Sequence, residues 1–318
     1  MKPFVMSASV LLAPGATSAM LDLAQMSPLT RRPMLVRDFT FTSQSPSVAS
    51  AAISSSTNIQ GDFSHIIRAK IRLGVNDLTN GFVPISLFAP PYSRFYSAPG
   101  SSQTFTGTTN FLLDAIVAGK AEVYNHWRWV LPKPMYVSPG EGIQIQILRS
   151  PVIDASIDAS YLTGSFNVRV AVHGELLFKE ARGCSRDLPY VSAFIAETSL
   201  KSREQDMKNV LSTPVMIQRL VGSCTKRVGP VPMMSDGGAA RLELRGSDGY
   251  EITNGAVSFS NLFPFQQPAW TFRRTLNPNE QIIAAFDALD ANGVTALGFE
   301  NSGLFGVSII GNREEPLA

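Results

Sequence analysis

Charge is scarce in this 318-residue chain: Asp, Glu, Lys and Arg together make up 16% of it, where about 25% is usual. The balance is nearly even, at +2. A protein that neutralises nucleic acid by itself carries a basic arm or patch and a far larger excess. The densest basic spots are Arg31-Arg32 with Arg37, and Arg273-Arg274, and they read as solvated or interface arginines. Cysteine is almost absent. Cys184 and Cys224 stand 40 residues apart with no CxxC pattern, so they read as buried thiols rather than zinc ligands. Histidine is equally sparse: His65, His126 and His173 are scattered, and none follows residue 173. A cupin-type metal centre needs clustered histidines on adjacent strands, so that chemistry is excluded. No Gly-x-Ser-x-Gly elbow, Walker loop or His-Glu-x-x-His occurs. Asp287, Asp290 and Asn292 before Gly293 hint at a Ca²⁺ loop, but the downstream bidentate Glu is missing, because Glu300 lies too far along. They read as a polar turn. The chain is expected to hold no catalytic residue, no cofactor, no metal and no small-molecule substrate.

Long hydrophobic runs are missing as well. No stretch reaches the 18 or more apolar residues of a spanning helix, so the protein is expected to be soluble or peripherally associated. Lys2, the apolar Phe4 to Ala13 and the small residues Ala16 to Ala19 resemble a weak signal peptide, but Pro14-Gly15 interrupts the run. Residues 1–34 therefore read as an N-terminal arm. Ala16 to Met26 forms a short, loosely amphipathic pattern closed by Pro28.

What the sequence has in abundance is period-two alternation. His65 to Leu73 puts Ile67, Ala69, Ile71 and Leu73 on one face and Arg68, Lys70 and Arg72 on the other. Leu35 to Thr42, Ile143 to Ile147 and Phe166 to Val172 follow the same rule. Gly, Pro, Ser and Asn clusters separate these segments, as in a protein of many short strands. One stretch departs from the pattern. Thr198 to Leu211 is rich in helix formers, with Leu200, Met207, Val210 and Leu211 near one face, and it predicts a helix bracing two domains.

An internal repeat organises the rest. Ile71-Arg72-Leu73-Gly74 leads to Leu78-Thr79-Asn80-Gly81, then Val83, Ile85, Leu87-Phe88 and Pro90. In the second half, Leu242-Glu243-Leu244-Arg245 leads to Ile252-Thr253-Asn254-Gly255, then an alternating strand with Val257 and Phe259, then Leu262-Phe263 and Pro264. Asn-Gly is a strong turn signal because both residues tolerate positive φ. A second block repeats too. Trp129, Pro139-Gly140-Glu141 and the strand Ile143 to Ile147 match Trp270, Pro278-Asn279-Glu280 and the strand Gln281 to Phe286. Glu141 to Gly164 and Glu280 to Gly303 both span 23 residues. The first half carries about 35 extra residues between Pro90 and Trp127, rich in Tyr, Ser, Gly and Phe, including Tyr92, Phe95, Tyr96, Phe105 and Phe111.

These blocks predict an all-β chain of two tandem antiparallel β-sandwich (jelly-roll) domains with a short connecting helix and an N-terminal arm. The expected division is an arm at 1–34, a first jelly roll at 35–185 with a loop insertion near 91–126, a linker with helix at 186–211 and a second jelly roll at 212–318.

The segment Val137 to Ile147, with its Val-Ser-Pro-Gly-Glu turn behind a Trp-containing strand, resembles the turn chemistry of viral jelly rolls. Two such domains in one chain resemble the double jelly-roll major capsid proteins of the adenovirus and tailless, lipid-containing bacteriophage lineage. The likeness covers roughly residues 35–313 and is one of architecture, so it assigns no functional residue. It implies a non-enzymatic structural protein of the virion, made in the host cytoplasm. Copies would self-associate into homotrimers of six jelly rolls, and these into an icosahedral shell. It also implies minor capsid or vertex proteins as partners, and contact with an internal membrane or the genome through the arm. The alternative is a receptor- or glycan-binding spike, tail or neck component, with sugar contacts from Trp127, Trp129 and the Tyr92 to Tyr96 loop.

Overall fold

In a computed structural model of the chain, the described residues are 2–12, 18–23, 32–44, 48–49, 58–59, 67–88, 126–149, 166–179, 185–197, 202–228, 231–235, 241–263, 269–287 and 304–316. The first half contributes β1 (Lys2–Leu12), β2 (Ser18–Asp22), β3 (Met34–Gln44), the short pair β4 (Val48–Ala49) and β5 (Asn58–Ile59), then β6 (Ile67–Leu73), β7 (Asn76–Asp77) and β8 (Val83–Pro84). A 3-10 turn, Ile85–Leu87, follows, and β9 (His126–Val137), β10 (Ile143–Arg149) and β11 (Phe166–Leu176) complete the half. The second half contributes β12 (Ser185–Glu197), β13 (Ser202–Lys208), β14 (Val215–Val228), β15 (Val231–Ser235), β16 (Arg241–Gly246), β17 (Val257–Ser258), β18 (Ala269–Leu276), β19 (Gln281–Asp287) and β20 (Leu304–Pro316). A single helical turn, Phe259–Leu262, sits between β17 and β18.

Each half builds two facing sheets. In the first, one sheet runs β1-β11-β3-β9 and the other β2-β10-β6-β7, with β8 also on β6. In the second, one sheet runs β12-β20-β14, extended by β18 and β15, both on β14, and the other runs β13-β19-β16-β17. With the short pair β4 and β5 and the hairpin strand β15 left out, and β7 and β8 taken as one position on β6, eight positions remain in each half. Along the chain, the sheets then run first, eighth, third, sixth and second, seventh, fourth, fifth, in both halves. That path, antiparallel throughout, is the jelly roll. The chain is all-β, with two of them in tandem.

Alternation explains the strands. Along β6, Ile67, Ala69, Ile71 and Leu73 are fully buried, and β10 buries Ile143, Ile145 and Ile147 opposite them. Burying one large aliphatic side chain contributes roughly 1.5–3 kcal/mol. The rings of Phe39 and Trp129 stack 5.4 Å apart under the first outer sheet, with Phe88 5.1 Å from Trp129.

The repeated turns match in chemistry. Thr79 Oγ1 accepts a hydrogen bond from the Ile71 N–H at 3.2 Å, and Thr253 Oγ1 accepts one from the Leu244 N–H at 2.9 Å. The glycine after each Thr-Asn has positive φ, 74° at Gly81 and 72° at Gly255, where a side chain would strain the backbone. In the later turn the Glu141 carboxylate accepts from the Ser138 N–H and Glu280 from the Asn277 N–H.

Four expectations are corrected. The arm expected at 1–34 is overturned where the chain is described: Lys2–Leu12 pairs with β11 over its whole length, and Ser18–Asp22, within the amphipathic stretch, pairs with β10. Phe4, Met6, Ala8 and Leu12 point into the core, so the first sandwich begins at residue 2, not 35. The bracing helix of 198–211 is absent among the described residues. Ser202–Lys208 is a strand on β19, and pairing with a strand distant in sequence overrides the helix propensity of its residues. The linker of 186–211 is likewise no linker, because Ser185–Glu197 pairs with β20 as the first strand of the second sandwich. Lastly, Val257 and Phe259 do not continue as an alternating strand, because the chain turns into the short helix at Phe259. The 35-residue insertion lies outside the described residues.

Candidate functional site

The sequence repeat says nothing about how the sandwiches meet, and the structure places the most heavily constructed site there. The segment Leu78 to Phe88 of the first sandwich lies against β12, β14 and β20 of the second. The Val191 N–H donates to the Leu78 carbonyl at 3.0 Å, and the Asn80 N–H donates to the Val191 carbonyl at 2.7 Å. Thr79 and Val191 thereby form one parallel rung on the edge strand β12, using backbone groups that an open edge leaves unpaired. Asn80 Nδ2 donates to Ser192 Oγ at 3.1 Å. The buried Ser308 hydroxyl donates to the Leu87 carbonyl at 2.6 Å. A Cβ on Gly306 would lie 2.6 Å from Leu87 Cδ1, so the absence of a side chain there makes the seat for Leu87. Leu188, Val191, Val221 and Ile310 of the second sandwich belong to the hydrophobic core of the first.

An ion-pair network closes one end of this seam. Arg186, on β12, directs Nη1 and Nη2 at the two oxygens of Glu141 at 2.5 and 2.9 Å, while Nε donates to Glu315 at 3.1 Å. Its side chain is 8% exposed. Burial alone would lower the guanidinium, but hydrogen bonding and charge from Glu141, then Glu315, outweigh it and hold Arg186 above its usual value. Nearby Arg313 is pulled below its usual value by burial, which Glu315 only partly opposes. Asp187 bridges Lys133 of the first sandwich, at 2.9 Å, and Asn312 of its own, at 2.7 Å. Beside the network lies a groove of about 510 Å³, reached by Lys133, Thr213, Met216 and Arg313. This arrangement binds two domains into one block. It presents no nucleophile beside a base, and among the described residues no group of His, Cys, Asp or Glu is placed to hold a metal ion.

The residues weighed from the sequence scatter. Arg37 pairs with Glu175 at 2.8 Å on the surface. Arg274 pairs with Asp248 at 2.7 Å and lies over the Tyr250 ring, while Arg273 is exposed. His173 stands 3.3 Å from Thr40 Oγ1 and 3.9 Å from Asp38. Trp129 is core, at 1% exposure, which removes it from a sugar site. Cys224 lies within β14 and Asp287 ends β19. Arg31, His65, Tyr92 to Tyr96, Cys184, Asp290 and Asn292 lie outside the described residues.

A further repeat escaped the sequence reading. Pro3-Phe4-Val5 on β1 and Pro189-Tyr190-Val191 on β12 occupy the same register, opposite Glu175, Gly174 and His173 in one sandwich and Asn312, Gly311 and Ile310 in the other. Each glycine sits at a β-bulge, where a Cβ would meet the carbonyl oxygen of Leu35 at 2.1 Å or of Met216 at 2.3 Å. The shared Pro-aromatic-Val was the signal available.

No protein-family model matches the chain, and no curated relative matches it by sequence. By shape it is similar to PBCV-1 VP54 fitted into a reconstruction of the virophage Sputnik. The TM-score is 0.49 at 8% identity, over 100% of this chain and 95% of that one. It is also similar to the major capsid protein of bacteriophage PM2, with a TM-score of 0.39 at 8% identity over 97% and 98%. For the mavirus major capsid protein the values are 0.30 and 10%, over 96% and 86%.

Proposed function

We propose that the chain is the major capsid protein of an icosahedral virus, structural rather than catalytic, residing in the virion shell as a homotrimer of six jelly rolls. One observation carries this reading: the same eight-strand path occurs twice, and a buried seam fixes the two copies side by side as a rigid block. A linker between independent binding modules needs no Arg186 clamp and no shared core. Facing sheets of this kind hide most strand edges and offer flat lateral walls, and repetition of one contact then yields closed symmetric assemblies. Minor capsid or vertex proteins are further partners of this reading. Contact with a membrane or genome through an N-terminal arm loses its basis, because Lys2–Leu12 and Ser18–Asp22 are strands of the first sandwich. Light scattering on the purified chain tests the proposal. A mass three times that of the chain, or larger regular particles, is expected; a strict monomer over a wide concentration range contradicts it.

A further inference from the structure

The two sandwiches are equivalent, yet among the described residues only one of them has its outer face covered. Val191, in the second, is fully buried beneath Leu78 to Asn80 of the first. Val5 holds the same register position on β1, and it is 59% exposed. Further along the same outward face of β1, Leu11 is 63% exposed, and β1 is an edge strand whose ladder, among the described residues, is with β11 alone. The segment that would cover this face also exists. Ile252-Thr253-Asn254 repeats Leu78-Thr79-Asn80, down to the Thr hydroxyl accepting from the preceding strand and the positive φ of the following glycine. Within its own chain this segment covers no second sandwich among the described residues. The chain therefore displays one unused socket, on the first sandwich, and one unused plug, on the second.

Resting on the capsid reading above, we infer that copies of this chain join by repeating their internal seam: Ile252 to Asn254 of one copy forms a parallel rung with Val5 on β1 of the next. The Val5 N–H donates to the Ile252 carbonyl, and the Asn254 N–H donates to the Val5 carbonyl, as Val191, Leu78 and Asn80 do internally. The contact is head-to-tail, joining two different patches rather than two identical ones, and in the trimer proposed above it closes into a ring. Not every detail is copied. Arg169 and Ala171 stand in the register of Gly306 and Ser308, Met6 stands in that of Ser192, and β1 begins at the position of Leu188. The Leu87 seat, the Asn80 side-chain bond and the Arg186 clamp therefore have no counterpart, and the rung with Val5 is the centre of the contact.

The test uses the full chain with Val5→Asp, which places a charge in the rung while leaving the inward residues Phe4 and Met6 intact. Light scattering should show the multimer reduced to single chains, with the circular-dichroism melting of those chains kept. A multimer unchanged by Val5→Asp overturns the inference and leaves the capsid reading standing, whereas an unmodified chain that is already monomeric overturns both. Should Val5→Asp fail to fold, Val5→Cys combined with Asn254→Cys replaces it. A short bismaleimide should then give bands at two and three chain masses that neither single variant gives, and their absence from an intact multimer overturns the inference equally.

Discussion

Replacing Arg186 by Met tests whether the seam, rather than each sandwich alone, carries the stability of the block. The substitution keeps most of the side-chain volume and removes the guanidinium that joins Glu141 to Glu315. Removing one partner of a fully buried ion pair costs about 3–5 kcal/mol, because the other charge is left unpaired. Here Glu141 and Glu315 retain 17% and 22% side-chain exposure, so water recovers part of the loss and about 2–3 kcal/mol is expected. Lys133→Met supplies the contrast. It removes the Asp187 pair, whose side chains are 50% and 32% exposed, and should cost less than about 1 kcal/mol. Urea unfolding followed by tryptophan fluorescence, at one fixed protein concentration because assembly also stabilises, reads both. Arg186→Met should also separate the transition into two, since the sandwiches lose their clamp. Equal costs for the two variants, or a single unshifted transition for Arg186→Met, would refute the reasoning.

Removing residues 2–12 strips β1 from β11 and bares the core beneath Phe4 and Met6, so the deletion should abolish cooperative melting of the first sandwich in calorimetry. Gly311→Ala places a Cβ 2.3 Å from the Met216 carbonyl oxygen, and because backbone must shift it should cost on the order of 1–3 kcal/mol, read as a lower urea midpoint. Tyr190→Phe removes the hydroxyl that donates to the Lys208 carbonyl at 2.8 Å and should cost about 1 kcal/mol. Burial raises the Tyr190 phenol above its usual 10.0, so the unfolded chain releases this proton first and stability falls as pH rises past about 10. Alkaline unfolding titrations should show that fall reduced in Tyr190→Phe.

Strands that alternate cleanly, such as Ile67–Leu73 and Ile143–Arg149, were legible because one face is core and the other is not. So was the duplication, since the Thr-Asn-Gly turns need a hydroxyl and a positive φ at fixed places. Phe4, Met6, Ala8, Val10 and Leu12 alternate just as well, but Lys2 before an apolar run and Pro14-Gly15 behind it give the segment the look of a leader. Ser202–Lys208 carries one buried apolar anchor among the side chains described there, Met207, too little to set a period against a run of helix-forming residue types. The seam was out of reach for a different reason. Arg186 and Glu141 are 45 residues apart, Ser308 and Leu87 are 221 apart, and nothing in local patterning couples them.

Electron microscopy of the purified, unmodified chain measures the central claim most directly. Class averages should show a closed ring of six sandwich-sized densities, three chains each contributing two, or shells tiled by such rings. Isolated two-lobed particles at all concentrations would contradict the account.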